Sequence, residues 1–455
     1  AKLAAFGSTA HPKYQASEDP NLQALLASKT PVVTIFGKSW DFHVKQALKI
    51  SLDKNLKLIE SSIAYLKKKK VSEVIFDAEH FFDAYKENPK YARQSLEAAL
   101  HGGADWIVLC ETNGGALPEE VFKIVSEFSS SLPAAYGIHC HNDGELGVAN
   151  SLAGVRAGAT QVHGTINGIG ERCGNANLVS ILPNLQLKMG YKLVTASQLK
   201  KLSSLSHLVY ELANMAPPFN QPFVGPSAFA HKGGIHVSAV EKNPKTYEHI
   251  APEVVGNHRR VLLSELSGVS NLLVKAKELG LAFKKDDPVV RQLLKELKEL
   301  ENQGFQFEGA EASFEILMKK ALKRFKPHFK LLGFKVLDQE IAEDGSFSEA
   351  TILVEVDGIV EHTAALGHGP VNALDQALRK ALERFYPSLK QVRLKDYKVR
   401  VLPSDSGTAS KVRVLIESTD GEHTWGTVGV HENILQASWQ ALTDALEYHL
   451  SQVLG

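Results

Sequence analysis

In the first third of the chain, short apolar runs alternate with longer segments whose apolar positions recur at helical spacing. The runs cover residues 3–7, 32–37, 73–78, 106–110, 134–139 and 161–166, each of strand length. Between them, residues 42–70, 89–101, 119–130 and 144–157 read as amphipathic helices. Strands alternating with helices predict parallel βαβ units. Polar or glycine-containing sequence follows most of the runs, among them Glu79-His80, Glu111-Thr112-Asn113-Gly114, His141-Asn142-Asp143 and Asn167-Gly168. Polar groups at C-terminal strand ends are the arrangement of a (β/α)8 barrel. An open dinucleotide-binding sheet would carry G-x-G-x-x-G after its first strand, and the sequence has none there.

A barrel needs eight units and the pattern supplies six. The chain opens at Ala1, without an initiator Met and already inside a strand-like run. The expected fold is therefore an α/β TIM barrel over residues 1–193, with its first two strands on sequence preceding residue 1. Residues 194–303 read as helical linker subdomains. Their helices are predicted at 197–214, 271–279 and 288–302, around a loop-rich stretch at 221–256. The remainder, 304–455, holds a repeat: Glu361-His362-Thr363 before one glycine turn and helix, Glu422-His423-Thr424 before another. Two such copies predict a pseudo-twofold α+β module with a regulatory or dimerising role.

Composition narrows the function. The 51 basic and 51 acidic residues cancel, which removes a general electrostatic case for nucleic acid or a membrane surface. No apolar run is long enough to span a bilayer. Three cysteines without disulfide or zinc spacing point to a reducing, cytoplasmic setting.

His139 and His141 stand at i, i+2 at a predicted strand end, so both imidazoles project to one side as a metal pair would. Asn175, after the turn Gly170-Glu171-Arg172-Cys173-Gly174, could add an amide oxygen. A carboxylate would complete the set, and no acid in the sequence stands out for it. Glu79 and Glu111 each end a strand and could face the barrel mouth. Gly168, Gly170 and Gly174 supply turn geometry. His231, His236 and Tyr247 lie in the linker region, where ordinary polar roles are commonest.

Three motifs together carry a resemblance: His139-Cys140-His141-Asn142-Asp143, the run Asn167-Gly168-Ile169-Gly170-Glu171-Arg172-Cys173-Gly174-Asn175-Ala176-Asn177, and Ala230-His231-Lys232-Gly233-Gly234-Ile235-His236. With Phe76-Asp77-Ala78-Glu79-His80-Phe81-Phe82-Asp83 and Gly309-Ala310-Glu311-Ala312-Ser313-Phe314, the sequence resembles the 2-isopropylmalate/homocitrate/citramalate synthase family from end to end. The resemblance implies a metal-assisted Claisen condensation of acetyl-CoA with a 2-oxo acid, followed by thioester hydrolysis. Pyruvate, on the route to isoleucine, is the first choice of 2-oxo acid and 2-oxoisovalerate the second. It implies a divalent metal (Mg, Mn or Zn) on His139, His141 and Asn175, and catalytic roles for Glu79, His236 and Tyr247. Thr112, Glu111, Asn142, Gly168, Gly170, Glu171 and Arg172 would bind substrate. In the C-terminal module it implies an isoleucine cleft at Gly369, Pro370, Val371, Asn372, Ala373, Gly407, Thr408 and Ala409, and a homodimer. The family's opening strand, with its metal-binding Asp and catalytic Arg, has no counterpart in this sequence. Residues 1–455 alone are accordingly expected to be inactive. A catalytically inactive amino-acid-binding or assembly protein is the reading from another class.

Overall fold

The computed structural model describes residues 2–261, 269–278, 287–341, 345–402, 407 and 410–454. It divides into two compact units: Ala1–Ala228 with Pro252–His258, and Phe229–Ala251 with Arg259–Gly455.

The first unit is built on β1 (Ala4–Ser8), β2 (Val32–Lys38), β3 (Glu73–Glu79), β4 (Trp106–Glu111), β5 (Tyr136–Cys140) and β6 (Gln161–His163). Each pairs in parallel with the next in sequence. A doubly wound sheet reverses its strand order and this one never does, so the fold is the strand–helix succession of a TIM-type barrel, as the pattern predicted. The helices are α1 (Pro20–Ala27), α2 (Leu52–Lys68), α3 (Phe81–Glu87), α4 (Pro89–His101), α5 (Pro118–Ser131), α6 (Gly147–Arg156), α7 (Leu178–Pro183), α8 (Ala196–Leu199) and α9 (Leu202–Leu212). Side chains fix where several of them start. Asp19 accepts from the Leu22 amide at 2.9 Å and Asn88 from that of Tyr91 at 3.1 Å, each ahead of a proline in the first turn.

Strand alternation divides the sheet into two faces. Val33, Ile35, Val74, Phe76, Ile107, Leu109 and Ile138 pack outward on Ile59, Ile63, Leu96, Val125 and Phe128 of the helices. The opposite parity carries Thr34, Asp77, His139 and His163, which line a cavity of about 460 Å³.

Three expectations need correction. The long helix at 42–70 is broken: a π-helical turn at Val44–Leu48 ends on Lys49 in the left-handed region (φ 55°), and Ser51 caps a fresh start for α2. The helix at 197–214 is two, α8 and α9. The sixth strand stops at His163, because the chain turns at once into Ile166–Gly168, where Asn167 has φ 66°.

The second unit begins with β7 (Ala230–His231), paired to β8 (Arg260–Val261), and α10 (Gly234–Lys242). Helices α11 (Val269–Glu278), α12 (Pro288–Asn302) and α13 (Glu311–Ala321) follow. Two antiparallel sheets close the chain. β9 (Lys330–Ile341), β10 (Gly345–Val356) and β11 (Ile359–Gly367) precede α14 (Pro370–Leu382); β12 (Arg393–Val401), β13 (Val412–Thr419) and β14 (Thr424–His431) precede α15 (Ile434–Val453). One bond recurs in the two copies. Thr363 Oγ1 donates to the Ala377 carbonyl at 2.8 Å, and Thr427 Oγ1 to that of Ala441 at 2.8 Å. The repeat is therefore spaced by 64 residues (Thr363 to Thr427), whereas the Glu-His-Thr match is spaced by 61 (Thr363 to Thr424) and falls out of structural register. No helix among the described residues is long and apolar enough to cross a membrane.

Candidate active site

β5 delivers His139, and the bridge between His141 and Asn175 folds the next loop back beside it. His139 Nε2 and His141 Nε2 face one another at 3.3 Å. Asn175 Oδ1 is buried without a hydrogen-bond partner and lines the cavity with His139. Glycine geometry holds that loop. Gly174 has φ +94°, and a Cβ there would lie 2.0 Å from the Gly168 carbonyl oxygen, which accepts the Asn175 amide at 3.0 Å. A Cβ on Gly170 would press on the Asn175 amide group at 3.0 Å.

Beneath this pair lies a second gathering. Asp77, His139 and His163 offer ligand atoms within 4.8 Å of one another. His139 and His163 are register partners on neighbouring strands, their rings edge to face at 5.8 Å. Burial and the neighbouring His163 and His141 push the His139 imidazole down to about 3, so it is neutral at pH 7. Burial also lowers His163, while burial and the Arg172 cation lower His141. Burial pushes the Asp77 carboxyl up to about 7, and its Oδ1 has no hydrogen-bond partner. Neutral imidazoles, a buried carboxyl short of partners and an unpartnered amide oxygen form a nitrogen–oxygen donor set that fits a divalent cation. Such a cation would compensate the cost of burying these polar atoms.

Sequence reading passed over Asp77 and His163. The signal was available: Asp77 is a lone acid within the apolar run of β3, two residues before Glu79 and on the same face. His163 needed the β5–β6 register, which no local pattern contains.

The other expected residues fall into distinct settings. Glu79, at the end of β3, pairs with Lys38 Nζ at 2.5 Å. Thr112 Oγ1 accepts the His80 amide at 2.9 Å. Glu111 is 1% exposed, and its Oε1 accepts the amides of Gly115 and Ala116 at 3.1 and 3.2 Å. Parity explains its position: Cys110 is the register partner of His139 on the inner face, so Glu111 turns the other way, into its own loop. Asn142 Oδ1 caps the Gly147 amide at 3.0 Å. Arg172 is held by the Asp143 carboxylate (Nε at 2.7 Å, Nη2 at 2.9 Å), by the Thr112 carbonyl at 2.8 Å and by His141 Nδ1 at 3.2 Å. Glu171 beside it has a side chain 79% exposed.

His236 and Tyr247 belong to the second unit, their rings 4.2 Å apart and exposed. Behind them the buried Glu248 carboxylate takes both Arg259 (2.5 and 2.6 Å) and His231 Nε2 (3.1 Å). Gly369, Pro370, Val371, Asn372 and Ala373 form the junction of β11 and α14, where Asn372 Oδ1 accepts the His368 amide at 3.1 Å. Gly407 is an isolated described position; Thr408 and Ala409 lie outside the described residues.

Comparison with known proteins agrees with this geometry. Residues 9–209 match the HMGL-like family, 223–304 the homocitrate synthase post-HMGL domain-like family and 308–450 the LeuA allosteric (dimerisation) domain. The chain is 58% identical to an (R)-citramalate synthase of Geobacter sulfurreducens, over 99% of this chain and 85% of that protein. The chain belongs to the (R)-citramalate synthase family. A second (R)-citramalate synthase, from Aquifex aeolicus, is 57% identical over the same shares of the two chains. Similarity to a 2-isopropylmalate synthase of Methanocaldococcus jannaschii is lower, 31% over 90% of this chain and 76% of that one. Family membership and the donor set agree on an acyltransferase with a divalent-metal site.

Proposed function

We propose that this protein condenses acetyl-CoA with pyruvate and hydrolyses the product thioester to (R)-citramalate and CoA, the step that commits pyruvate to isoleucine. The observation that carries the reading is the convergence at His139: an imidazole facing it at 3.3 Å, and an unpartnered amide oxygen lining the same cavity. The strong similarity to (R)-citramalate synthases supports pyruvate over bulkier 2-oxo acids.

The divalent cation would be held by His139, His141 and Asn175, with Asp77 and His163 as the deeper partners of His139. When bound, it supplies Lewis-acid polarisation of the 2-oxo group. The chain's own residues do the rest. The Gly168–Gly174 turn keeps Asn175 in place, and Arg172, anchored on Asp143, braces His141. Glu79 and Thr112 orient the 2-oxo acid at the strand ends. His236 and Tyr247 are assigned to proton transfer at the acetyl methyl carbon, their neighbouring rings, tilted by 31°, a pair able to hold and pass a proton. The C-terminal module would bind isoleucine at the β11–α14 junction and join two copies of the chain in a cytoplasmic homodimer, a role consistent with its LeuA dimerisation-domain match.

The test is thiol release from acetyl-CoA by the full-length protein with pyruvate or 2-oxoisovalerate. Pyruvate is expected to be turned over at least about tenfold more efficiently, a discrimination of ~1.4 kcal/mol. A preference for 2-oxoisovalerate would make it an isopropylmalate synthase. Isoleucine binding with no thiol release from either acid would favour the non-catalytic reading.

A further inference from the structure

The proposed reaction needs a base twice, once for the acetyl methyl proton and once for the water that cleaves the thioester. None of the groups assigned so far serves the water. A candidate stands at the end of β3, one residue beyond Glu79.

His80 occupies the left-handed region (φ 56°, ψ 34°), uncommon and strained for a residue with a side chain. Three contacts hold it there. Its amide donates to Thr112 Oγ1 at 2.9 Å, its Nδ1 lies 3.2 Å from Asp83 Oδ2, and its ring meets that of His43 nearly edge-on at 4.4 Å. Asp83 Oδ2 is itself fixed by the Asn113 side-chain amide at 2.9 Å. A carboxylate accepting from Asn113 also accepts from His80, so the imidazole carries its proton on Nδ1 and presents a lone pair on Nε2. Nε2 makes no hydrogen bond among the described residues. The side chain is only 11% exposed and its ring lies beside Trp40, at 5.5 Å between centroids.

His80 is also wired to the His139–His141 pair. Thr112, which receives the His80 amide, gives its carbonyl to Arg172, and Arg172 reaches His141 Nδ1. A carboxylate-oriented imidazole with a free Nε2, strained into place at a strand end of the mouth, is the arrangement of a general base.

We propose that His80, oriented by Asp83 and Asn113, is the general base of the hydrolytic half-reaction. Nε2 takes a proton from water as its oxygen bonds to the thioester carbonyl carbon. The tetrahedral adduct then collapses with cleavage of the carbon–sulfur bond, and the proton passes from Nε2 to the departing sulfur, giving CoA thiol and a carboxylic acid that ionises to solvent. This rests on the thioester-forming reaction proposed above.

Two substitutions suit the left-handed backbone and separate side-chain chemistry from folding. His80→Asn keeps a donor where Nδ1 stood but has nothing at Nε2; His80→Gly leaves room for free imidazole. In the full-length protein, kcat of His80→Asn is expected to fall at least about 100-fold, with KM for acetyl-CoA and for the 2-oxo acid within about threefold of wild type. The bound thioester should accumulate in acid-quenched single turnovers, and added imidazole should restore part of the His80→Gly rate. A His80→Asn enzyme within threefold of wild-type kcat would overturn the assignment. So would a loss confined to KM, or a slow variant that accumulates no thioester. The wild type in the same assay keeps the two readings apart: if it prefers another 2-oxo acid, the substrate assignment fails while the variants are compared on the acid it does use.

Discussion

The barrel mouth and the C-terminal module treat buried polar groups in opposite ways. At the mouth Asp77 Oδ1, His139 Nδ1 and Asn175 Oδ1 are buried without hydrogen-bond partners. In the module the Glu447 carboxylate accepts from the His328 amide at 3.0 Å and meets its Nδ1 at 2.7 Å, Ser313 Oγ reaches Asp444 Oδ2 at 2.6 Å, and Tyr397 pairs with Ser438 at 2.7 Å. Asp375 Oδ1 and His449 Nε2 are exceptions there, though Asp375 still holds Arg379 through its other oxygen. An unpartnered buried polar atom costs about 1–3 kcal/mol. A fold that leaves these three and Gln161 Oε1 around one cavity and satisfies most of the others is stabilised at the module and committed to a ligand at the mouth.

Substitutions can break that contrast. The largest effect is expected at His139, the residue common to both donor groupings: His139→Ala should lower kcat/KM by about 10³-fold or more, ~4 kcal/mol. Stability should change little in the same variant. Comparing divalent-metal affinity in His141→Ala and His163→Ala by calorimetry then tells which neighbour of His139 matters more; equal losses would merge the two groupings into one. Glu447→Ala should do the reverse. Leaving the His328 amide and imidazole unpaired should cost about 3 kcal/mol in denaturant unfolding of the second unit, and metal affinity should stay unchanged.

Asp444 sharpens the comparison through pH. Burial raises its folded carboxyl from 3.8 to about 6. Between those values the folded state holds a proton that the unfolded chain has released. Stability therefore falls as pH rises from about 4 to 6, and the full penalty persists above. Asp444→Asn should be more stable than wild type by about 2–3 kcal/mol at pH 7 and equal to it below pH 4, by urea denaturation at both pH values. The smallest effects should come from Thr363→Val and Thr427→Val, each costing about 1 kcal/mol. Hydrogen exchange should show matching losses of protection in α14 and α15.

What was legible in the sequence follows from which interactions are local. Strand positions came from apolar parity, which also separates inward Asp77 and His139 from outward Ile138 and Phe76. The same parity should have turned Glu111 away from the mouth, since it neighbours inward Cys110 in the chain. His163 was beyond reach because its place beside His139 depends on pairing between strands 24 residues apart at those positions. The break after Leu48 was hidden too: a lysine at φ 55° has no compositional mark, and the nearby Ser51 cap reads as an ordinary serine.

The matched threonine bonds say how the module can be cut and rejoined. A graft exchanging α14 for α15 at the 64-residue spacing carries each helix onto a strand whose hydroxyl already meets the right carbonyl. Cut at the 61-residue spacing that the Glu-His-Thr match suggests, the incoming helix would arrive three residues out of step. Three residues are about 4.5 Å of rise and some 300° of rotation, enough to turn its apolar stripe off the sheet. The visible sequence repeat is thus a poor template for recombination, and the single hydroxyl–carbonyl tie is the ruler to use.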